Sequence, residues 1–380
     1  MTPEFSERDL ERLLGRSVRA RLESEDRALF VGRRVVVTGA GGSIGSELAR
    51  QIAACAPEQI ALVDRSEYHL FHIERELREI APRVDVVAHL TDVARVAHVE
   101  RVFAATRPHF VYHAAAYKHV PMAERAIAVA AETNVLGTAV VAGAAAARGA
   151  RFVLISSDKA ASPEGVMGAT KRLAELVVAS RATPSFRPAI VRFGNVLGSS
   201  GSVVEIMRDA IRRGRPIPVT DPSATRFFMT AGEAVALVVR ADRLSSEPHV
   251  FWLDMGDPVR IGDLAERLLA IEAERGHAGA GIDIVGLRPG EKLHEQLHDP
   301  NLVFHRTADR RIWRGARGGV DRVAIDGWLG LLRLAADRAD DGAALAVLTH
   351  AVEGYRPGRT ARATAGWVPI GSRRSDGRAA

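Results

Sequence analysis

Asp158 and Lys159 place an acid and a base in adjacent positions, directly after an apolar run and the serines Ser156 and Ser157. A carboxyl and an amine that meet at one substrate can protonate a leaving group and remove a proton, which is general acid–base catalysis. Near neutral pH this needs a protonated carboxyl and a neutral amine, which burial and a second nearby lysine, Lys171, favour. Because the attraction within the pair opposes both, we expect the two groups to share one proton. Taken alone, the pair is equally compatible with a surface ion pair.

Lysine is scarce in this chain. Of its 52 lysines and arginines, only Lys118, Lys159, Lys171 and Lys292 are lysines. A guanidinium keeps its charge at any physiological pH, whereas an ammonium is compact and can lose its proton. The composition therefore predicts that lysines remain where the chemistry needs an amine.

A glycine-rich turn with Gly39, Gly42 and Gly45 lies between the β-branched run 34–37 and a helical pattern. Such a turn brings backbone N–H groups and a helix N-terminus against a pyrophosphate, and therefore predicts a dinucleotide site. Asp64 closes the next predicted strand, where a carboxylate binds both adenosine ribose hydroxyls of NAD and repels the phosphate of NADP.

Two other residues belong to the adenosine end of this predicted site. Arg65 opposes the preference for NAD, because an arginine there can bind a phosphate. Asp92 follows the third predicted strand and is a candidate for the adenine amino group, although it is equally suited to cap a helix at 93–106.

These residues must be positioned by the elements between them, and the hydrophobic pattern alternates between strands and helices. The predicted strands cover 34–37, 60–64, 84–89, 109–113, 151–156 and 189–194, and the helices cover 46–54, 66–80, 93–106, 122–148 and 164–181. Strands joined by single helices form a parallel sheet with its site at the carboxyl ends of the strands. We therefore predict an α/β fold, a Rossmann-type doubly wound parallel sheet with a smaller C-terminal substrate-binding lobe.

The pattern divides the chain into four parts. We predict a helical N-terminal extension (1–31), a dinucleotide-binding domain (32–195) to which a later strand can return, a substrate lobe (196–355) and a basic tail (356–380). The tail carries six arginines and one acid, hence +5 of the net charge of +6, and few large apolar side chains. This composition predicts disorder.

Composition excludes several classes of protein. A chain of 380 residues with 47% hydrophobic residues can bury a core, and no apolar run approaches the ~20 residues of a membrane span. The single cysteine, Cys55, forms no intrachain disulfide, and the N-terminus does not resemble a signal peptide, so we expect a cytoplasmic protein. A nearly neutral body with 5% aromatic residues argues against nucleic-acid binding, and the 13 histidines show no metal-binding spacing.

The sequence resembles the UDP-N-acetylglucosamine 4,6-dehydratases of the polysaccharide-biosynthesis (CapD-like) group, within the extended short-chain dehydrogenases. The resemblance covers residues 8–355. It rests on TGAGGSIGSEL (38–48), HAAAYKHVPMAE (113–124), ETNVLGT (132–138), SSDKA (156–160), GVMGATKRLAE (165–175), VRFGNVLGSSGSV (191–203), TDPSATRFFMT (220–230) and GLRPGEKLHE (286–295). The segment 8–16 is similar to a linker that follows a transmembrane region in larger members, so we expect a free soluble form without that region.

The resemblance implies a hydro-lyase reaction in which C4 of the sugar is oxidised, water is lost across C5 and C6, and the hydride returns to C6. Lys159 would be the base at C5, Asp158 the acid at the C6 oxygen, and Ser157 the partner of the C4 hydroxyl. Lys171 would hold the nicotinamide ribose. Met167 stands where the family's Tyr-x-x-x-Lys motif has its tyrosine, so the C4 proton must leave through Ser157, and retention of the C5 configuration is predicted.

The resemblance also assigns binding residues, with NAD bound tightly and regenerated in each cycle and a UDP-sugar as substrate. Expected to bind NAD are Gly39, Gly42, Ser43, Ile44, Gly45, Asp64, Arg65, Asp92, Val93, Ala114, Ala115, Lys171 and Val196. Expected to bind the substrate are Lys118, His119, Asn195, Ser200, Arg226, Arg288 and Glu291. Without the resemblance, the arginines are more simply solvated charges and His119 a packing residue.

Three alternatives stay open. A UDP-hexosamine 4-epimerase shares the fold and the C4 ketone, a 5,6-dehydratase stops at the alkene, and an NAD-binding regulator performs no reaction. We expect a homo-oligomer, a dimer or larger, no nucleic-acid partner, no membrane span and no metal.

Overall fold

The computed structural model describes residues 5–18, 21–288, 291–296, 302–316 and 320–366. The helices are α1 (Glu7–Leu14), α2 (Ser24–Ala28), α3 (Ser43–Ala53), α4 (Glu67–Ile80), α5 (Val96–Thr106), α6 (Val120–Ala123), α7 (Ile127–Ala131), α8 (Thr138–Ala146), α9 (Val166–Ser180), α10 (Val203–Arg212), α11 (Ala231–Leu244), α12 (Ile261–Glu274), α13 (Arg322–Asp337), α14 (Asp341–Ala351) and α15 (Arg359–Thr364). A π-helical segment (Glu132–Gly137) joins α7 to α8, and a 3₁₀ turn (Asp158–Ala160) precedes α9.

The strands alternate with these helices through the first half of the chain. They are β1 (Arg34–Thr38), β2 (Gln59–Asp64), β3 (Asp85–Leu90), β4 (Phe110–His113), β5 (Arg151–Ile155), β6 (Ala189–Arg192), β7 (Asn195–Val196), β8 (Ile217–Val219), β9 (Thr225–Arg226), β10 (Phe228–Met229), β11 (His249–Leu253), β12 (Val259–Arg260), β13 (Ile282–Ile284), β14 (Phe304–Arg306) and β15 (Ile312–Gly315).

A central sheet organises the molecule. Within the described residues it has nine strands in the order β14-β15-β11-β6-β5-β4-β1-β2-β3. All neighbours are parallel except at one edge, where β15 is antiparallel to β11 and β14 is antiparallel to β15. The strand order reverses between β1 and β4, which is the switch point at which doubly wound sheets bind ligands. The predicted α/β fold is confirmed.

The sheet does not end with the first half of the chain. Strand β11 pairs with β6, from His249 against Ala189 onward, so the apolar run 250–254 joins the main sheet. Strands β11, β14 and β15, which all lie in the range predicted as the substrate lobe, therefore belong to the central sheet. Helices α13 and α14 also fall within the range predicted as the substrate lobe, but they pack on the first half of the chain, because their buried side chains, such as Leu332 and Leu348, share an apolar cluster with α7 and α9.

The second lobe has its own small core between α10, α12 and β8. Leu13 of the N-terminal extension is fully buried in this core, so α1 is part of the lobe rather than an appendage. Farther along the extension, the buried carboxylate of Asp26 accepts hydrogen bonds from Arg240 at 2.7 Å and from Arg243 at 2.8 Å on α11. The extension thus connects the second lobe to the sheet domain.

Two predicted elements differ from the structure. The helix expected over 122–148 is interrupted at Ala126, where φ and ψ are −146° and 67°, so the continuous helix begins at residue 127. Part of the expected tail is also ordered: residues 356–366 carry α15, and its Ala361 is fully buried. Residues 367–380 lie outside the described residues.

Among the described residues, one helix is long and apolar enough to cross a membrane by its length and composition alone. It is Ile127–Ala146, which includes the π-helical segment, and 72% of its apolar window is buried inside the fold. Burial by the sheet and by neighbouring helices explains the apolar composition without a membrane.

Candidate active site

In the glycine turn after β1, backbone atoms lie so close together that side chains would not fit. Gly39 has φ +65°, and a Cβ there would lie 2.6 Å from the backbone nitrogen of Ala115. A Cβ on Gly45 would overlap the carbonyl oxygen of Gly39. Gly42 is the N-cap of α3 and provides no side-chain cap, so the first N–H groups of that helix have no side-chain acceptor. This cradle, which side chains would fill, fits a pyrophosphate.

Asp64 at the end of β2 connects this turn to the next helix. Its two carboxylate oxygens accept hydrogen bonds from the backbone of Gly41 at 2.9 Å and of Ser66 at 2.9 Å. The guanidinium of the adjacent Arg65 lies over the ring of Tyr117, 5.0 Å from its centre. Asp64 therefore borders the cradle, and Arg65 lies against the segment that follows β4.

Asp92 and Val93 follow β3. Asp92 accepts a hydrogen bond from the backbone of Ala94 at 2.9 Å, so it stabilises a turn. The following helix begins at Val96 with Arg95 as its N-cap, three residues later than predicted. The side chain of Val93 is buried and touches the position where Gly137 lacks a side chain.

The segment after β4 is held by a residue that the sequence analysis did not single out. Asn134, fully buried in the π-helical segment, accepts from the backbone N–H of Tyr117 at 2.8 Å and donates to its carbonyl at 3.1 Å. It also donates to Thr170 on α9 at 3.0 Å. Asn134 therefore fixes the segment that carries Ala114, Ala115, Lys118 and His119. Its signal in the sequence was the motif ETNVLGT.

The loop after β7 closes over the glycine turn. The backbone N–H of Ser200 donates to the hydroxyl of Ser43 at 3.1 Å, and the ring of His119 packs against Gly201. Burial lowers the pKa of Lys118 beside it, with a smaller opposing effect of Glu205. Residues predicted to bind cofactor and substrate are thus brought together here.

Asp158 and Lys159 lie at the carboxyl end of β5, beside the switch point. Asp158 is 2% exposed. Its Oδ1 accepts from the hydroxyl of Ser157 at 2.8 Å and from the ammonium of Lys159 at 3.1 Å. Its Oδ2 is buried and has no hydrogen-bond partner among the residues that the structure describes. This constellation combines a hydroxyl, a carboxyl and an amine in one place.

The ammonium of Lys159 has two more oxygen neighbours. Asn195 accepts a hydrogen bond from it at 3.3 Å, and Glu295 lies 3.3 Å away. Burial lowers the pKa of Lys159, but the carboxylates of Asp158 and Glu295 outweigh it and raise that pKa above its ordinary value. Burial alone therefore does not make this amine neutral, because a second carboxylate, Glu295, faces it in addition to Asp158.

Lys171 lies beneath this site in α9. Its buried ammonium donates to the carbonyl of Ile155 at 2.6 Å, directly before residues 156–160. Burial lowers its pKa to about 8, against a smaller opposing effect of Glu175. Glu175 also accepts from the hydroxyl of Ser156 at 2.6 Å and from Arg192 on β6 at 2.7 Å, so a buried ion pair supports the ends of both strands.

Met167 occupies the first turn of α9, four residues before Lys171. It is 4% exposed and belongs to the same buried apolar cluster as Ile127 and Leu348. A thioether in that setting has no proton to exchange. Val196, the last predicted cofactor contact, is buried in β7.

The substrate lobe reaches the site through residues 291–296. Arg226 donates to the carbonyl of Leu293 at 3.0 Å and to that of Lys292 at 2.6 Å. Lys292 in turn donates to the carbonyl of Ser162 at 2.6 Å and pairs with Glu164 at 3.3 Å. Arg226, expected as a diphosphate clamp, thus donates to backbone carbonyls, and Lys292 joins the loop to the segment that follows Lys159.

Arg288 and Glu291 contact each other. The guanidinium of Arg288 donates to Glu291 at 3.0 Å, and its backbone N–H donates to the same carboxylate at 3.1 Å. The two residues between them lie outside the described residues. The predicted diphosphate and ribose partners therefore form their own exposed ion pair in this structure.

The family model described as "Polysaccharide biosynthesis protein" matches residues 35–315, from the first strand of the sheet to the end of β15. This range includes the glycine turn, the Asp158 and Lys159 pair and the loop with Glu295. The chain belongs to this family. The resemblance to CapD-like proteins noted from the motifs is thereby confirmed.

Among relatives in the polysaccharide-biosynthesis family, the capsular polysaccharide biosynthesis protein CapD of Staphylococcus aureus is 41% identical over 301 residues, 78% of this chain and 50% of that protein. This chain spans about half the length of that relative. A UDP-N-acetylglucosamine 4,6-dehydratase (inverting) of Campylobacter jejuni is 31% identical over 287 residues, covering 73% of this chain and 81% of the relative. A UDP-glucose 4-epimerase of Rickettsia canadensis is 30% identical over 278 residues, 71% of this chain and 78% of the relative.

Solved structures share the fold. Pen from Bacillus thuringiensis superposes with a TM-score of 0.66 at 31% identity, covering 71% of this chain and 83% of that chain. Since relatives with similar identity include a dehydratase and an epimerase, the distinction between these activities rests on the residues of the site.

Proposed function

We propose that this chain is an NAD-dependent UDP-N-acetylglucosamine 4,6-dehydratase that retains the configuration at C5. The observation that carries the proposal is the constellation at the end of β5. Asp158 is buried, with one oxygen on Ser157 and Lys159 and the other without a partner among the described residues. An epimerase needs no acid and base at C5 and C6, whereas a dehydratase needs both.

The residues divide the reaction between them. Ser157 accepts the proton of the C4 hydroxyl as that carbon is oxidised, and passes it toward Asp158, to which its hydroxyl already donates. The resulting ketone acidifies the C5 hydrogen, which Lys159 removes as a neutral amine. Asp158 protonates the departing C6 hydroxyl, which leaves as water. The sugar loses one water in total.

The residues of the glycine turn fit NAD. When bound, NAD supplies a reversible hydride acceptor, which makes the oxidation at C4 and the reduction at C6 cancel. Gly39, Gly42 and Gly45 would leave the space for its pyrophosphate, and Asp64 would accept hydrogen bonds from a ribose. Lys171, held at the end of β5 by Ile155, is the candidate partner of the nicotinamide ribose.

Met167 supports retention. An acid at this position could protonate C5 from a second direction, and the buried thioether has no such proton. If Lys159 both removes and returns the C5 proton, that proton comes back to the face from which it left. The preference for NAD over NADP rests on Asp64, and calorimetric titration with each cofactor tests it, because tighter binding of NADP would contradict that role.

Incubation with UDP-N-acetylglucosamine, followed by mass spectrometry and proton NMR, tests the activity. Loss of one water with a new C6 methyl group and a C4 ketone is the expected result. An unchanged mass with inverted C4 indicates the epimerase, and an alkene without the methyl group indicates the 5,6-dehydratase. No turnover of UDP- or dTDP-sugars indicates the regulator. Light scattering of the same sample tests the expected homo-oligomer.

A further inference from the structure

Lys159 is surrounded by oxygens on three sides. Its nitrogen lies 3.1 Å from Oδ1 of Asp158, 3.3 Å from Oδ1 of Asn195 and 3.3 Å from Oε1 of Glu295. An ammonium has three N–H donors, so each can point toward one of these acceptors. Asp158 follows β5 of the central sheet, Asn195 lies on β7, and Glu295 lies in the loop 291–296.

Glu295 is itself a buried charge. Its side chain is 4% exposed, and its other cationic neighbour, Nε of Arg226, lies 3.8 Å away. A buried carboxylate is retained only where it is paired, because its desolvation is costly. Its pairing with Lys159 therefore accounts for its burial, and the pairing depends on the position of the loop 291–296.

The loop has contacts that fix this position. The backbone N–H of Thr225 donates to the carbonyl of Leu293 at 3.0 Å, and the hydroxyl of Thr225 is hydrogen-bonded to the ring of His294 at 2.9 Å. Lys292 anchors the same loop to Ser162, close in sequence to the catalytic pair. Glu295 is therefore held against Lys159 from two sides.

We propose that Glu295 is a positioning residue for Lys159: it completes the oxygen cage, aims the amine at the site and favours its charged form, so that Lys159 acts as a base only after it has lost this proton to solvent. The proposal rests on the proposed function for the role of Lys159 as base, but the charge on the amine can be measured without turnover. It adds an acidic residue of the substrate lobe to the acid–base machinery at the end of β5.

Competitive labelling with acetic anhydride, followed by peptide mass spectrometry, measures the charge directly, because only neutral amines react. The chain has four lysines, so each is resolved. In the unmodified full-length protein, the labelling midpoint of Lys159 is expected above pH 10.5, the ordinary value for lysine. A midpoint below that value overturns the proposal.

Glu295→Gln removes the charge and keeps the shape. The labelling midpoint of Lys159 should fall, with about tenfold faster labelling at a fixed pH below it, because one nearby charge shifts a pKa by one unit or more. Glu164→Gln, which removes the carboxylate beside Lys292, is the matched control and should leave Lys159 unchanged. Equal midpoints for Lys159 in Glu295→Gln and the parent protein overturn the proposal.

The pH dependence of turnover distinguishes a positioning role of Glu295 from a purely structural one. In Glu295→Gln, the part of the kcat–pH profile that rises with pH should move to lower pH. In Glu295→Asp, that part of the profile should stay in place, and kcat should fall because the amine is displaced. Unchanged profiles in both variants overturn the proposal. If the parent protein itself lacks turnover, the proposed function fails, while the labelling result still decides whether Glu295 sets the charge of Lys159.

Discussion

At the scale of single residues, the scarcity of lysine now has physical reasons. Lys159 lies among three oxygens at the end of β5. Lys171 is buried and bonds Ile155, and Lys292 bonds Ser162 while pairing with Glu164. In each case a compact ammonium donates to a carbonyl oxygen or to a small set of oxygens. A planar guanidinium in the same place would have more N–H donors than there are acceptors.

Lys159→Met tests the base. We expect the variant to bind NAD with the affinity of the parent protein and to lose exchange of the C5 proton with deuterated water, because a thioether cannot accept a proton. Calorimetry measures the first and proton NMR of the UDP-sugar the second. Normal exchange in Lys159→Met would remove this residue from the mechanism.

His113 gives a pH dependence of stability. Burial lowers its pKa to about 3, with a smaller effect of Lys171, while the unfolded chain has the ordinary value of 6.5. Between these values the unfolded state binds a proton that the folded state does not, so the free energy of unfolding falls as pH falls from 6.5 toward 3. Urea unfolding of His113→Gln across this window should show a shallower slope than the parent protein.

The matched control is His350→Gln, which removes an exposed histidine. If His113→Gln keeps the slope of the parent protein, the buried imidazole between Thr38 and Thr138 is not the source of the pH dependence.

At the scale of elements, the strands and the glycine turn follow from local pattern, and the predicted bounds agree with the structure to within one or two residues. The start of the long helix at 127 could not be predicted this way, because the apolar pattern continues through the break at Ala126, and the contact beside the break is with a distant part of the chain. Glu124 turns away from the helix and accepts the backbone N–H of Val166 at 2.7 Å. The periodic spacing of hydrophobic residues along the sequence does not reveal such a contact.

The glycine turn makes a prediction at this scale. Gly45→Ala should lose binding of NAD and lower the melting temperature, because its Cβ would overlap the carbonyl oxygen of Gly39 and open the turn. Gly143→Ala, inside α8 with no atom within 4 Å of the added Cβ, should bind NAD normally and unfold at the same or a higher temperature. Calorimetry and thermal unfolding measure both. Equal NAD affinity in the two variants would contradict the packing argument.

At the scale of the whole molecule, the candidate site was only partly predictable. The motif SSDKA identified Asp158 and Lys159, and their place at the carboxyl end of a parallel strand followed from the fold. Glu295 was quoted within a motif but received no role, because its approach to Lys159 requires two lobes to meet across 136 positions (295 − 159) of sequence. Contacts of that kind are set by tertiary packing alone.

Helices α13 and α14 provide a prediction for the molecule as a whole. Leu348→Ala should lower the free energy of unfolding by about 2–5 kcal/mol, because its fully buried side chain packs in the cluster shared with α7 and α9. Leu331→Ala removes a side chain that is 53% exposed and should change it by less than about 0.5 kcal/mol. Urea unfolding measures both, and equal small losses would mean that the C-terminal helices are not part of the core.

The late return of β11 to the sheet has a consequence for synthesis on the ribosome. Apart from Arg192, strand β6 is apolar, and it is nearly fully buried, yet its outer edge is covered only after residues 249–253 have been made. For the intervening stretch of translation, a half-built sheet presents an open hydrophobic edge, the kind of surface that recruits chaperones or aggregates. The second lobe is therefore synthesised while the outer edge of β6 is still open to aggregation.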